Sequence, residues 1–375
     1  MLVAGEASGD LLASELVSAL KQRSPDATFF GAGGPRMAAA GVDLAFDMTQ
    51  HAVIGFSDVF RKYFKFKRLF DDLFTLAIRR KPDVVIGVDY GGFNLRFGHA
   101  IKEYARYDTG SWDPKIVQFV SPQVWASRPG RADLLARDYD LLLSIFPFEK
   151  GWYARRVPNL HVEFVGHPMV GRFGAEDRRS KMEDGKKTAP EILLLPGSRT
   201  SELKRHLPVM LPAMKLIWEK SPLAKARMVL PDESLAQLAR SLGANLEIQI
   251  GDLPKALAAA DVAIASTGTV TMECAFFGVP TVTLYKTSRL TYEIGKRIVT
   301  VKSLTMPNLL SGEAVYPEFV QDDATPENIA RAALDLLQDG SRRAKIRSQL
   351  ATIVSSLGHP GATDRAAAAV VDLFH

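Results

Sequence analysis

Short apolar runs alternate with longer amphipathic stretches along most of the chain. Runs at Leu2–Ala4, Thr28–Phe30, Val84–Val88, Ile116–Val120, Leu141–Ile145 and Val162–Val165 predict buried strands. The stretches Asp10–Arg23, Asp58–Arg79, Arg96–Tyr107 and Arg128–Arg137 predict helices between them. Alternation of this kind predicts a parallel sheet covered on both faces. The texture changes at 171–189, which is polar, charged and glycine-bearing and suits an exposed linker. Strands then resume at Ile192–Leu195, Met228–Leu230, Leu246–Ile250, Val262–Ala265 and Thr281–Leu284, and helices at Pro326–Gln338, Ser341–Ser356 and Ala362–Phe374 close the chain. The expected organisation is two doubly wound, Rossmann-like α/β domains, 1–170 and 190–357, with 358–375 packing back across their boundary. Ligands are expected in a cleft between them, beyond the carboxyl ends of the strands.

Composition narrows the class. A length of 375 residues fits two domains, and one cysteine cannot form an internal disulfide, which points to a reducing compartment. No apolar run reaches the ~18 residues of a spanning helix, and Met1–Asp10 lacks the basic start of a signal peptide. The expectation is a soluble, cytoplasmic chain. A net charge of +5 and a pI of about 9.1 admit nucleic acid, anionic membrane or phosphorylated substrates as partners. The charge is densest at Arg61, Lys62, Lys65, Lys67 and Arg68. At about 100° per residue, Phe56, Phe60, Tyr63, Phe70 and Phe74 fall on one stripe opposite most of these cations, with Phe64 at its edge. Such a helix either packs its aromatics on a sheet or lies in a membrane interface. In the second case Phe56, Phe60 and Phe64 enter the acyl region while Arg61, Lys62 and Lys65 meet headgroups. One confined cluster argues against nucleic acid.

The candidate chemistry falls at strand ends. Gly5-Glu-Ala-Ser-Gly-Asp10 is a strand-to-helix turn that lacks the G-x-G-x-x-G of a dinucleotide site but carries Glu6, Ser8 and Asp10. In Leu195-Pro-Gly-Ser-Arg-Thr-Ser-Glu202, Gly197 permits close approach of a backbone, Ser198 can donate, and Arg199 offers a fork for phosphate oxygens. A helix cap of Ser and Glu202 is the alternative. In Thr267-Gly-Thr-Val-Thr-Met-Glu273, the N–H groups around Gly268 and Thr269 suit a diphosphate and Glu273 suits a ribose diol. Two such turns place a nucleotide on the second half. Asp89 ends an apolar strand and is either a general base or a turn cap. The seven histidines form no metal-ligand pattern, so no metal is expected.

Together these residues resemble the lipid-A-disaccharide synthases, a GT-B-type glycosyltransferase family. The resemblance runs in order through Gly5–Asp10, Gly33–Met37, Phe93-Asn94, Ser121–Trp125, Pro147–Glu149, Val165–Pro168, Leu195–Arg199, Gly268-Thr269, Glu273, Pro307–Leu310, Pro317-Glu318 and Gln321. It implies a metal-independent, cofactor-free inverting enzyme that joins UDP-2,3-diacylglucosamine to 2,3-diacylglucosamine 1-phosphate. It implies UDP on the C-terminal domain, at Gly197, Ser198, Arg199, Glu202, Thr267, Gly268, Thr269, Glu273, Asn308 and Gln321. The acceptor is then expected on the N-terminal domain, at Ser8, Gly9, Asn94, Ser121, Gln123 and Trp125, with Asp89 as base and Glu6 or Asp10 as fallback. The family also implies peripheral attachment to the cytoplasmic face of the inner membrane, and members that dimerise. Ala126-Ser127, Gly91-Gly92 and Thr267 depart from the usual pattern, and Met1 reads as a late start. A UDP-sugar epimerase of the same two-domain fold is the alternative.

Overall fold

Strand β1 (Leu2–Ala4) lies near the middle of a seven-stranded sheet, followed by α1 (Ala7–Arg23), β2 (Phe30–Gly33), α2 (Pro35–Ala39), β3 (Asp43–Asp47) and α3 (Val59–Arg80). Then come β4 (Val84–Val88), α4 (Gly91–Tyr107), β5 (Lys115–Phe119), α5 (Val124–Ser127), α6 (Arg131–Asp138), β6 (Leu141–Ser144), α7 (Pro147–Arg156), β7 (Val162–Phe164) and α8 (Met169–Arg172). The second sheet belongs to β8 (Glu191–Leu195), α9 (Thr200–Lys220), β9 (Lys225–Leu230), α10 (Glu233–Ser241), β10 (Glu247–Ile250), α11 (Leu253–Ala259), β11 (Val262–Ser266) and α12 (Val270–Phe276). It continues with β12 (Thr281–Tyr285), α13 (Arg289–Ile298), α14 (Met306–Ser311), β13 (Glu318–Val320), α15 (Pro326–Gln338) and α16 (Gly340–Ser356), and α17 (Ala362–Val371) ends the chain. These elements come from a computed structural model that describes residues 1–48, 59–108, 112–173 and 189–374, with backbone alone over 59–66.

The strand orders are β3-β2-β1-β4-β5-β6-β7 and β10-β9-β8-β11-β12-β13, and every pairing is parallel. In each sheet the order reverses beside the first strand, at β1/β4 and at β8/β11. Loops leaving those neighbouring strands diverge there, and the crevice they leave is where such sheets bind ligands. The central strands are buried on both faces: Leu2, Val3, Val88, Leu193 and Ile264 are at most 1% exposed. Of the four edge strands, β3 and β13 escape the sequence reading, β3 because it begins and ends on an aspartate and β13 because it spans only three partly exposed residues.

The chain divides into a first unit, Met1–Gly171 with Leu357–His375, and a second, Arg172–Ser356. The C-terminal segment joins the first unit by packing α17 along α1. Arg365 fastens it, donating from Nε to Val165 O at 2.8 Å, while His167 N–H donates to Leu357 O at 2.9 Å.

On α3 the aromatic stripe is core wherever its side chains are described. Phe70 packs edge-on against Phe93 and Phe97 (5.5 and 5.6 Å between centroids) and Phe74 against Tyr104 (5.8 Å), while Lys67 and Arg68 stay exposed. Phe56 and the side chains of Phe60, Arg61, Lys62, Phe64 and Lys65 lie outside the described residues. Among the described residues no helix is long and apolar enough to cross a membrane.

Candidate active site

At the first switch point the chain makes an uncommon turn. Strand β4 ends at Val88, and the next two residues, Asp89 (φ 52°) and Tyr90 (φ 46°), are both left-handed. Non-glycine residues held there cost on the order of 1–3 kcal/mol each and persist only when their surroundings fix them. Here Asp89 O accepts from Asn94 Nδ2 (2.8 Å) and Gln118 Nε2 (2.9 Å), and Asp89 N–H donates to Phe119 O (2.9 Å). The Tyr90 ring lies so close over Gly5 that a Cβ there would come within 2.3 Å of it, so the position admits only glycine. The turn sets the Asp89 carboxylate at the sheet edge, where Ser8 Oγ donates to it at 3.4 Å. Burial pushes the carboxyl above its ordinary range, opposed by hydrogen bonds from the Tyr90 backbone and Ser8. A carboxylate raised in this way accepts a proton more readily.

The neighbouring candidates divide into exposed and internal groups. Ser8 and Gln123 are exposed, Glu6 is half-buried, and Gly9 lies beneath Asp89. Asp10, the fallback base, is 2% exposed and accepts N–H bonds from Gly34, Arg36 and Met37 (2.8, 3.1 and 3.0 Å). Its carboxylate anchors the start of α2, which corrects the expectation of a base there. Asn94 and Ser121 are likewise internal: the first supports the Asp89 turn, and the second donates to Tyr153 Oη at 3.2 Å. Trp125 turns its ring against Phe148 and donates from Nε1 to Glu149 Oε1 at 3.0 Å.

Glu149 closes the Pro147–Glu149 motif. It is fully buried, accepts from Trp125 and from Phe146 N–H (3.3 Å), and is pushed up to about 7 by burial, with those hydrogen bonds opposing. It holds the Ser121–Trp125 loop to the start of α7. Nothing local in Pro147-Phe-Glu149 reveals that burial.

The second unit carries its own pair of turns at β8 and β11. Gly197 sits at φ +121°, and a Cβ on it would lie 2.2 Å from Glu202 Oε2. That same oxygen accepts the N–H groups of Ser198 (2.9 Å) and Arg199 (3.3 Å). Glu202 therefore closes the turn, as the helix-cap alternative has it, and the backbone N–H groups of Ser198 and Arg199 are occupied. Ser198 and Arg199 remain exposed. The turn is further held by His206, which sequence reasoning set aside for lack of a metal pattern. Fully buried, it places Nδ1 2.7 Å from Pro196 O while Nε2 accepts Lys286 N–H at 3.2 Å. Those partners require the neutral Nδ1–H form, and burial lowers its pKa accordingly.

Thr267, Gly268 and Thr269 follow β11, the immediate neighbour of β8, so both turns share one sheet edge. Gly268 and Thr269 are exposed, and their N–H groups meet no acceptor among the described residues. Glu273 stands one helical turn further on α12; burial raises its carboxyl, with Arg172 opposing. Two other expected donor contacts face inward. Asn308 bonds Tyr316 O, Tyr316 N–H and Glu318 Oε1, each at 2.8 Å, and Gln321 clamps the backbone of Thr287 at 2.7 and 3.3 Å. Both brace loops, and their amides are already satisfied.

Comparison with known proteins decides the family. Residues 1–371 match the family profile described as lipid-A-disaccharide synthetase. Lipid-A-disaccharide synthases of Myxococcus xanthus and Geobacter metallireducens are 35% and 34% identical over 383 residues, covering 100% of this chain and 97% of each relative. Among solved structures, a UDP-GlcNAc 2-epimerase from Neisseria meningitidis bound to UDP-GlcNAc superposes with a TM-score of 0.64 at 10% identity, covering 99% of both chains. Acinetobacter baumannii MurG does so at 0.56 and 16%, covering 99% of this chain and 98% of its own. At such identities the structural likeness carries the fold alone. Full-length identity of about a third is what decides the family: this chain belongs to the lipid-A-disaccharide synthases, which are UDP-sugar glycosyltransferases.

Proposed function

We propose that the chain transfers 2,3-diacylglucosamine from UDP to O6 of 2,3-diacylglucosamine 1-phosphate, giving a β-1,6-linked disaccharide 1-phosphate and UDP. The observation that supports this most is Asp89, a carboxylate raised by burial and set at the switch point of the first sheet. Asp89 takes the proton from O6 as that oxygen attacks the anomeric carbon, and the single displacement inverts it. Arg199 and the exposed turn at Gly268 and Thr269 meet the charge that develops on the departing diphosphate. Glu273 holds the ribose hydroxyls. With arginine and backbone N–H groups supplying countercharge, the displacement proceeds without a metal. Among the described residues His99, Glu103 and Asp138 converge, but Asp138 is already held by Arg137 (2.9 Å) and Arg106 (3.3 Å). Those guanidinium groups provide the positive charge that a cation would.

The reading includes a peripheral seat on the cytoplasmic face of the inner membrane, where diacylated substrates reside. In its favour, α13 exposes Leu290 (73%) and Ile294 (50%) beside Arg289, Lys296 and Arg297, a combination suited to an anionic interface. The epimerase alternative has less behind it, since the epimerases share the fold at only 10–15% identity.

Nuclear magnetic resonance of the product tests the reaction. An α-linked UDP donor should yield only the β-1,6 disaccharide, and EDTA should leave the rate unchanged. An α-linked product, or activity lost to EDTA and restored by Mg²⁺, would contradict the mechanism.

A further inference from the structure

Three arginines of the first unit have no part in the chemistry above. Arg96 stands on α4, Arg128 follows α5, and Arg131 opens α6. The N–H of Arg131 donates to Arg128 O at 3.0 Å, which folds those two residues into one turn. Helices α4 and α6 pack together, which brings Arg96 alongside. Burial, and after it the charges of Arg128 and Arg96, draws down the pKa of Arg131.

Further along the same two helices, Arg106 and Arg137 each find a carboxylate on Asp138. Among the described residues Arg96, Arg128 and Arg131 have no such partner. Asp133, the acid in the first turn of α6, is two residues from Arg131 and so lies on a different side of the helix. Three clustered guanidinium groups repel one another, and their planar forks match phosphate oxygens.

Their position bears on which phosphate. Helix α4 begins immediately after the Asp89–Tyr90 turn, and Arg96 lies five residues into it, about 7.5 Å along the axis at 1.5 Å per residue. Gly92 and Arg96 are exposed on it while Asn94, Leu95, Phe97 and Gly98 are buried. Arg128 and Arg131 follow the Ser121–Trp125 loop at the end of β5, the strand next to β4. Arg96 thus lies little more than one helical turn beyond the Asp89–Tyr90 turn, and Arg128 and Arg131 follow the strand next to the one Asp89 ends.

We propose that Arg96, Arg128 and Arg131 form a phosphate site that holds the anomeric phosphate of the acceptor, leaving its O6 toward Asp89. The assignment rests on the acceptor being a sugar 1-phosphate. Steady-state kinetics of Arg131→Gln and of the Arg128→Gln/Arg131→Gln pair test it. The acceptor KM should rise about 10–100-fold, the scale of lost charge-assisted hydrogen bonds, with donor KM and saturated kcat within about twofold of wild type. Arg131→Lys should recover only part of the loss, because an ammonium lacks the fork. An unchanged acceptor KM, or donor and acceptor KM rising together, would overturn it. Glucose 1-phosphate gives a readout independent of turnover. It should raise the melting temperature of the wild-type protein more than inorganic phosphate does, and should not raise that of Arg131→Gln. Equal protection of both proteins would also overturn the site, whereas protection of wild type alone in a protein inactive on both lipid substrates would count against the reaction and leave the site standing.

Discussion

Replacing Asp89 with asparagine is expected to lower turnover by about 10²–10⁴-fold, the range for loss of a general base, while UDP affinity stays unchanged. The amide has nearly the same shape, so the left-handed turn survives: it is fixed through the main chain of Asp89 by Asn94, Gln118 and Phe119. What is lost is the ability to take the O6 proton. The pH profile gives a second signature. Asp89 must be ionised to act, and burial raises its pKa, so kcat/KM should fall as pH drops through a value above that of a free aspartate. Ser8 donates to the ionised form, so Ser8→Ala should move this acid limb to still higher pH. The Asp89→Asn variant should lack the limb. Near-normal turnover in that variant, with loss instead in Glu6→Gln, would move the base to the turn after β1.

Arg199→Ala should cost about 10²–10³ in kcat, close to the loss on removing one oxyanion donor. The expectation follows from Glu202. Because its carboxylate already takes the N–H groups of Ser198 and Arg199, that turn offers a departing diphosphate chiefly the Arg199 guanidinium and the Ser198 hydroxyl. Charge grows on the diphosphate as the glycosidic bond breaks, so the effect should fall more on kcat than on donor KM. Arg199→Lys should restore only part of it, since the planar fork is what grips two oxygens. Full activity in Arg199→Ala would show that the β11 turn carries the leaving group alone.

The sheets were legible because their central strands are apolar throughout; β3, bounded by Asp43 and Asp47, and the three-residue β13 lack such a run. Asp89 was legible as a carboxylate that ends an apolar run, although nothing in Gly87-Val-Asp-Tyr90 announces two successive left-handed residues. The motif residues that turned out to be braces share one feature: each holds backbone groups of another segment of the chain. Asp10 meets Gly34, Arg36 and Met37; Asn308 meets Tyr316; Gln321 meets Thr287. A motif marks such a residue as indispensable without revealing whether it faces the ligand or holds the loop that does. His206 and Glu149 are hidden for the same reason, since their burial exists only once the helices have packed.

UDP release measured with both diacyl substrates, and with each omitted in turn, tests the central claim most directly. UDP should appear only when donor and acceptor are both present, in equal amount to disaccharide 1-phosphate. UDP formed from the donor alone, or donor converted to an isomer without UDP release, would contradict the assignment.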